Sequence, residues 1–179
     1  ADLVIHAAYH TRVAASAAQS AANQDAAQQL ARHFQRTYGS LFLFVSSMSA
    51  HDGAYSNYGR SKRAIERALD PTRSLIVRPG FVIGPGGIFL RLARMLAAMP
   101  ITIMPYGGRL PIQSADVVEL CRAIAELATL QATGIYCFGE ADPVPIGTFY
   151  KAVAAWAGRS LTLLPVPGGP VLSLVQTLE

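Results

Sequence analysis

Three short, continuous apolar runs constrain this chain more than any other feature: "DLVIHAA" at 2–8, "LFLFVSS" at 41–47 and "SLIVRPG" at 74–80, with helix-like stretches between them. A run apolar on both sides of its pleat must be covered on both faces, which is the condition of a strand inside a parallel sheet. Parallel neighbours need a crossover, and helices provide it. From about Val13 to Tyr38 the chain is rich in Ala and Gln, with Leu30 and Phe34 four apart and Gly39 as a stop. A second helix is expected from about Asn57 to Leu69, closed by Asp70-Pro71, because proline disfavours helical geometry in the residue before it. Strand, helix, strand, helix, strand defines an α/β fold with a parallel sheet and flanking helices.

After the turn-rich "GPGG" at 84–87 the texture changes. A helix is expected near 88–98, strand-like pieces near 101–104 and 110–113, and a helix near 115–129. A strand at 134–139, a helix at 146–157 stopped by Gly158, an extended run at 161–167 and a possible further helix from Pro170 complete the chain. With 179 residues the length suits a single domain, its central strands and helices in 1–87 and a C-terminal portion in 88–179.

Apolar residues make up 51% and charged ones 15%, the balance of a folded protein. The net charge of +4 is spread over single and paired basic residues (Arg60, Lys62, Arg63; Arg91, Arg94), so a nucleic-acid partner is not expected. Cys121 and Cys137, sixteen apart in apolar segments, match neither a zinc spacing nor a disulfide framework and read as buried, reduced thiols; no metal is expected. No apolar run has the length of a membrane span and no signal peptide opens the chain, so a soluble, cytoplasmic protein is expected.

In "AYSNYGRSKRAIERAL" (54–69), Tyr58 and Lys62 stand four residues apart at a helix start. A phenol with a reference pKa of about 10 is a poor acid or base at neutral pH, but a lysine one turn away favours the phenolate. The pair can then pass a proton to or from a carbonyl or alcohol oxygen. Ser46 and Ser47, twelve and eleven residues upstream at a strand end, could orient the same oxygen. Taken alone, such a pair is also what any helix face with a solvated lysine shows. Its setting favours chemistry: the pair follows a buried strand ending in Ser-Ser and precedes the strand that runs into "RPGFVIGPGG".

Together these segments resemble the short-chain dehydrogenase/reductase superfamily, in its extended and atypical branches that include nucleotide-sugar epimerases and dehydratases. "DLVIHAA" resembles the fourth strand of that family, "ANQDAAQQL" the helix bearing its active-site asparagine, "FVSSMSA" the fifth strand, "YGRSK" the Tyr-x-x-x-Lys motif and "IVRPGFVIGPGG" the sixth strand and its loop. "LPIQSADVVELCRAI" and "TGIYCFGEADPVPIGTFYKAVAAWAGR" continue the likeness in order. The resemblance implies a partial Rossmann-like sheet with small C-terminal substrate-region elements. It implies that Tyr58 is the acid/base and that Lys62 lowers its pKa and holds the nicotinamide ribose. Ser47, or its rival Ser46, orients the reacting oxygen, and Asn23 holds a water or a helix kink near Lys62, or is simply an exposed polar residue. Ala7 and Ala8 would let NAD or NADP approach, with Pro79, Gly80, Phe81 and Val82 passing beneath the nicotinamide. His6 is expected to pack at the strand end, with His10 and His51 on loop surfaces. A small-molecule substrate follows, for which Arg109 and Gln113 are the polar candidates; Arg109 would suit an anionic one.

The family opens with a strand, a Gly-x-x-Gly-x-x-Gly turn and a helix that cradle the cofactor pyrophosphate. The 179 residues contain no such turn, and the likeness begins at the fourth strand, so a truncated chain with weakened dinucleotide binding is expected. In the sheet order 3-2-1-4-5-6 that strand becomes a bare edge, which leads to the expectation of a homo-oligomer covering it. Three functions are therefore open: an NAD(P)-dependent epimerase, dehydratase or reductase, a cofactor-free remnant serving as a binding or structural/oligomerisation module, or a pocket that binds a small ligand without turning it over.

Overall fold

The computed structural model describes residues 2–8, 17–38 and 40–167. The chain divides into two compact units, Ala1–Pro79 with Glu119–Phe138 and Gly80–Val118 with Gly139–Leu178.

The first unit is built on strands β1 (Leu3–His6), β2 (Leu41–Val45), β3 (Ser74–Pro79) and β8 (Gly134–Phe138), all parallel, in the order β1-β2-β3-β8. Leu3 to His6 stand opposite Leu41 to Phe44, and Phe42 to Val45 opposite Ser74 to Val77. Because side chains alternate across a strand, Phe42 and Phe44 point to one face. There they form a core with Ala27 and Ala31 of α1 (Ala17–Tyr38), Ile65 and Leu69 in and just after α2 (Asn57–Ala68), and Ile76 of β3. Each fully buried phenylalanine contributes about 2 kcal/mol of transfer free energy. A buried amide fastens the far end of this layer: Gln35 donates to the Arg73 carbonyl (2.9 Å) and the Ser74 hydroxyl (3.1 Å), while Arg73 donates back to the Gln35 carbonyl (2.6 Å).

On the opposite face, helix α4 (Val117–Thr129) sends Leu120 and Ile124 toward Leu3, Ile5, Ala7 and Val45, leaving an apolar groove of about 700 Å³ along β1. The expected burial of the first strand is therefore only partial. Among the described residues β1 pairs with β2 alone, and Ile5 is 53% exposed.

The second unit contains helices α3 (Gly87–Ala98) and α5 (Ile146–Trp156), whose Phe89, Ala93, Leu96, Phe149, Val153 and Ala154 make its core with Leu161. Around them lie three two-stranded pairings: β4 (Phe81–Ile83) with β7 (Ser114–Asp116), β5 (Ile101–Pro105) with β10 (Thr162–Val166), and β6 (Pro111–Ile112) with β9 (Val144–Pro145). β4 must come close to the chain before β7, since a Cβ at Gly80 would overlap the Gln113 carbonyl oxygen.

The four-stranded α/β frame follows the sequence expectations, with differences that have physical causes. β4, β7 and β9 are two or three residues long, too short for any alternation to show. In α1 the inward positions are Ala27, Ala31 and Gln35, while Leu30 is 38% exposed, so the packed face lies one residue from the expected one. Both cysteines, expected to be buried, are exposed: Cys121 lies beside the inward Leu120 on α4, and Cys137 falls on β8, whose Ile135 and Tyr136 are also exposed. An apolar neighbourhood in sequence did not tell which face would be covered. Residues 13–16, Gly39, His10 and the tail from Pro170 lie outside the described residues.

Candidate active site

Helix α2 opens where β2 and β3 end, at the C-terminal edge of the parallel sheet, the edge where α/β sheets bind their ligands. Ser56 caps it, its hydroxyl accepting from the Gly59 amide at 3.1 Å, which satisfies one of the free donors of the first turn. Gly59 is required at this entry: a Cβ there would overlap the Ser49 carbonyl oxygen of the loop after β2. That loop is tied to β3, with the Ser46 amide bonded to the Val77 carbonyl (2.7 Å) and the Met48 amide to the Pro79 carbonyl (3.0 Å).

Tyr58 sits in the first turn, 37% exposed, and Lys62 one turn further in, 3% exposed. The Lys62 ammonium donates to the Val45 carbonyl at 2.7 Å and lies 4.6 Å from the centre of the Phe44 ring and 5.8 Å from that of Tyr58. Burial lowers its pKa from 10.5 to about 8, against the opposing pull of the Glu66 carboxylate. His6 stacks on Phe44 with ring centres 5.8 Å apart, and its pKa is lowered by burial first and then by the charge of Lys62. The expected packing of His6 at the strand end is thus observed, with an electrostatic tie to the lysine. His51 is exposed.

The two serines have separate environments. The Ser46 hydroxyl is buried and donates to the Glu66 carboxylate at 2.6 Å. Ser47 is half-buried, and its hydroxyl accepts from the Ser49 amide at 3.1 Å. Asn23 lies half-buried on α1, Ala7 and Ala8 are exposed just after β1, and Pro79 is buried at the end of β3. In the second unit, Gly80, Phe81 and Val82 are half-buried, and the Phe81 amide bonds the Gln113 carbonyl at 2.8 Å. The Gln113 side chain donates to the Glu140 carbonyl at 2.9 Å. Exposed Arg109 lines a different surface hollow of that unit, with Tyr106, Gly107, Leu110 and Pro165, so the hollow does not bring it together with Gln113.

Glu66 and Arg78 did not stand out in the sequence. Glu66 has no exposed side-chain surface and accepts from both Nε and Nη2 of Arg78, at 2.8 and 2.6 Å, and from Arg63 at 3.3 Å. Contact with Glu66 raises the Arg78 pKa above its ordinary value. A signal for them existed: an arginine inside "SLIVRPG" is a charge in an otherwise apolar strand and needs a partner, and Glu66 lies four residues after Lys62 on the same helix face.

The parallel α/β sheet with its crossover helices has the Rossmann-like fold of the short-chain dehydrogenase/reductase superfamily. No family model matches the chain. It is 32% identical over 148 residues to a ceramide reductase of Caulobacter vibrioides, an alignment covering 75% of this chain and 46% of that protein. The chain thus spans about half the length of this curated relative. Among solved structures it resembles dTDP-4-dehydrorhamnose reductase of Bacillus anthracis in complex with NADP, with a TM-score of 0.78, 18% identity, and 95% of this chain and 67% of that one covered. It also resembles UDP-N-acetylglucosamine 4-epimerase of Bacillus cereus, with a TM-score of 0.70, 16% identity, and 93% and 66% of the two chains covered. Among the described residues no helix is long and apolar enough to cross a membrane.

Proposed function

We propose that this chain is the catalytic portion of an NAD(P)-dependent carbonyl reductase. One observation carries the reading: a buried lysine, held on the Val45 carbonyl, lies under a half-exposed tyrosine at the C-terminal edge of a parallel sheet. A structural lysine would extend its amine to water, because burying an ammonium is costly. Here the cost is accepted where a charge beside a phenol is useful.

The small residues Ala7 and Ala8 and the exposed rim of Tyr58 suit the nicotinamide-ribose end of a dinucleotide, with Lys62 and Tyr58 holding the ribose. When bound, such a cofactor supplies the hydride for carbonyl reduction. Tyr58 donates the phenolic proton to the carbonyl oxygen, Lys62 favours the resulting phenolate, and Ser47 orients the oxygen, since the Ser46 hydroxyl is engaged with Glu66. A Gly-x-x-Gly-x-x-Gly turn, the usual cradle of a dinucleotide pyrophosphate, is not among these 179 residues. The ceramide reductase relative favours a ketone on a ceramide-like lipid, with dTDP-4-dehydrorhamnose as the competing substrate to try.

The test is titration of the purified protein with NADPH and NADH by cofactor fluorescence, followed by ketone-dependent oxidation of the cofactor. Saturable binding, with turnover lost in Tyr58→Phe while binding is kept, supports the reading. Absence of binding overturns it in favour of a cofactor-free module.

A further inference from the structure

We propose that Glu66 is a positioning residue for the Tyr58/Lys62 pair: its buried carboxylate clamps the end of β2 to α2 and β3, and so holds the Val45 carbonyl where it receives the Lys62 ammonium. The inference rests on the functional reading above only for the word positioning; the clamp itself is visible in the bonds.

Four donors converge on this carboxylate from three elements. Ser46, the residue after Val45, donates from the end of β2 at 2.6 Å; Arg78 donates twice from β3, at 2.8 and 2.6 Å; and Arg63 of α2 donates at 3.3 Å. A fully buried carboxylate so engaged is geometrically determined, because removing any donor leaves a lone pair unsatisfied in a low-dielectric site. Ser46, whose amide is bonded to the Val77 carbonyl, gains a second tie through its hydroxyl, and with it the peptide whose carbonyl oxygen is that of Val45. Lys62 is one helical turn before Glu66, so the clamp and the amine it serves are on the same face of α2.

The second contribution is charge. Glu66 from its own helix acts on the charge of Lys62, His6 from β1 feels that charge, and the Tyr58 ring lies 5.8 Å away, while β2 presents the Val45 carbonyl and the Phe44 ring, and α1 presents Ala27 and Ala31 to the same core. His6, whose pKa is lowered, adds no lasting positive charge at neutral pH, and burial pushes the Lys62 amine toward its neutral form. Glu66 opposes that push. Arg78 and Arg63, which share the carboxylate, limit how strongly it does so.

Lys62 and Lys151 are the only lysines in the sequence, so protein carrying 13Cε-lysine gives two lysine signals, one buried and one exposed as an internal reference. In wild type the Lys62 signal is expected to titrate at about 8. In Glu66→Gln its midpoint should fall by about one unit while that of Lys151 stays in place. An unchanged Lys62 midpoint in a folded Glu66→Gln protein overturns the proposal. Ser46→Ala keeps every charge and cuts only the link to β2, and it decides the matter if Glu66→Gln does not fold. Its expected signature is that the two ε-methylene protons of Lys62, distinct when the amine is held, merge toward one averaged shift; retention of two shifts overturns the clamp. If these signals respond as expected but wild type binds no nicotinamide cofactor and turns over no ketone, the functional reading fails and the clamp stands.

Discussion

Lys62 concentrates the conflict between stability and chemistry in this chain. Its amine has a pKa lowered from 10.5 to about 8 by burial, so between those values the unfolded chain binds more protons than the folded one. Folding stability therefore rises with pH through that window, and below about pH 8 the full cost is present, on the order of 3 kcal/mol. Lys62→Met should remove that cost. The variant is expected to unfold at higher denaturant concentration than wild type at pH 7, and to lose this advantage as pH rises toward 10.5, while ketone reduction is abolished. In the wild type the same titration predicts that turnover declines above about pH 8, as Lys62 loses the charge that favours the tyrosinate. The two serines should separate in the same way. Ser47→Ala is expected to lower kcat with little change in melting temperature. Ser46→Ala strands a lone pair of a buried carboxylate and should cost about 1–3 kcal/mol of stability. Of these residues, Tyr58, Lys62 and the two serines stand out in the sequence through their setting between two apolar strands and the resemblance that setting carries, since their spacing taken alone is what any helix face can show. Glu66 and Arg78 were not singled out, because Arg63, Glu66 and Arg67 look alike in sequence and only the packing of α2 decides which one faces inward.

At the scale of elements, the entry of α2 determines where the tyrosine stands. Ser56 caps the first turn, and Gly59 lets that turn press against the loop after β2. Gly59→Ala gains helix propensity of about 1 kcal/mol, yet its new methyl group would strike a backbone oxygen that β3 holds in place through neighbouring bonds. The clash should win, with a net loss of about 1–3 kcal/mol in thermal or denaturant unfolding. Ser56→Ala should cost about 1 kcal/mol through the lost cap alone. Helix α2 lies where the sequence places it because its stop signal is local, the proline after Asp70. Strands β4, β7 and β9 left no such trace, since each has two or three residues and exists through its partner rather than through its own pattern.

Across the molecule, the apolar first strand lies at a sheet edge, as the 3-2-1-4-5-6 strand order implied. β1 is apolar enough for a central strand, yet among the described residues it has one neighbour and an apolar groove beside it. Amide exchange should reflect this, with β1 protected far less than β2 and β3, whose Phe42 to Phe44 and Leu75 to Val77 are almost wholly enclosed. Equal protection along all three strands would show that the edge is covered in solution. The sequence by itself determined the alternation of parallel strands and helices, the place of the Tyr-x-x-x-Lys helix after the second strand, and the polarity of the chain. These follow from apolar runs, helix-forming composition and glycine or proline stops, which act over a few residues. Only the tertiary structure decided which serine is tied to a buried carboxylate, which glutamate is enclosed, that both cysteines face outward, and that the lysine amine is held at a strand end. Those outcomes depend on which faces come together, and a one-dimensional pattern records that a residue can be buried without recording what it will be buried against.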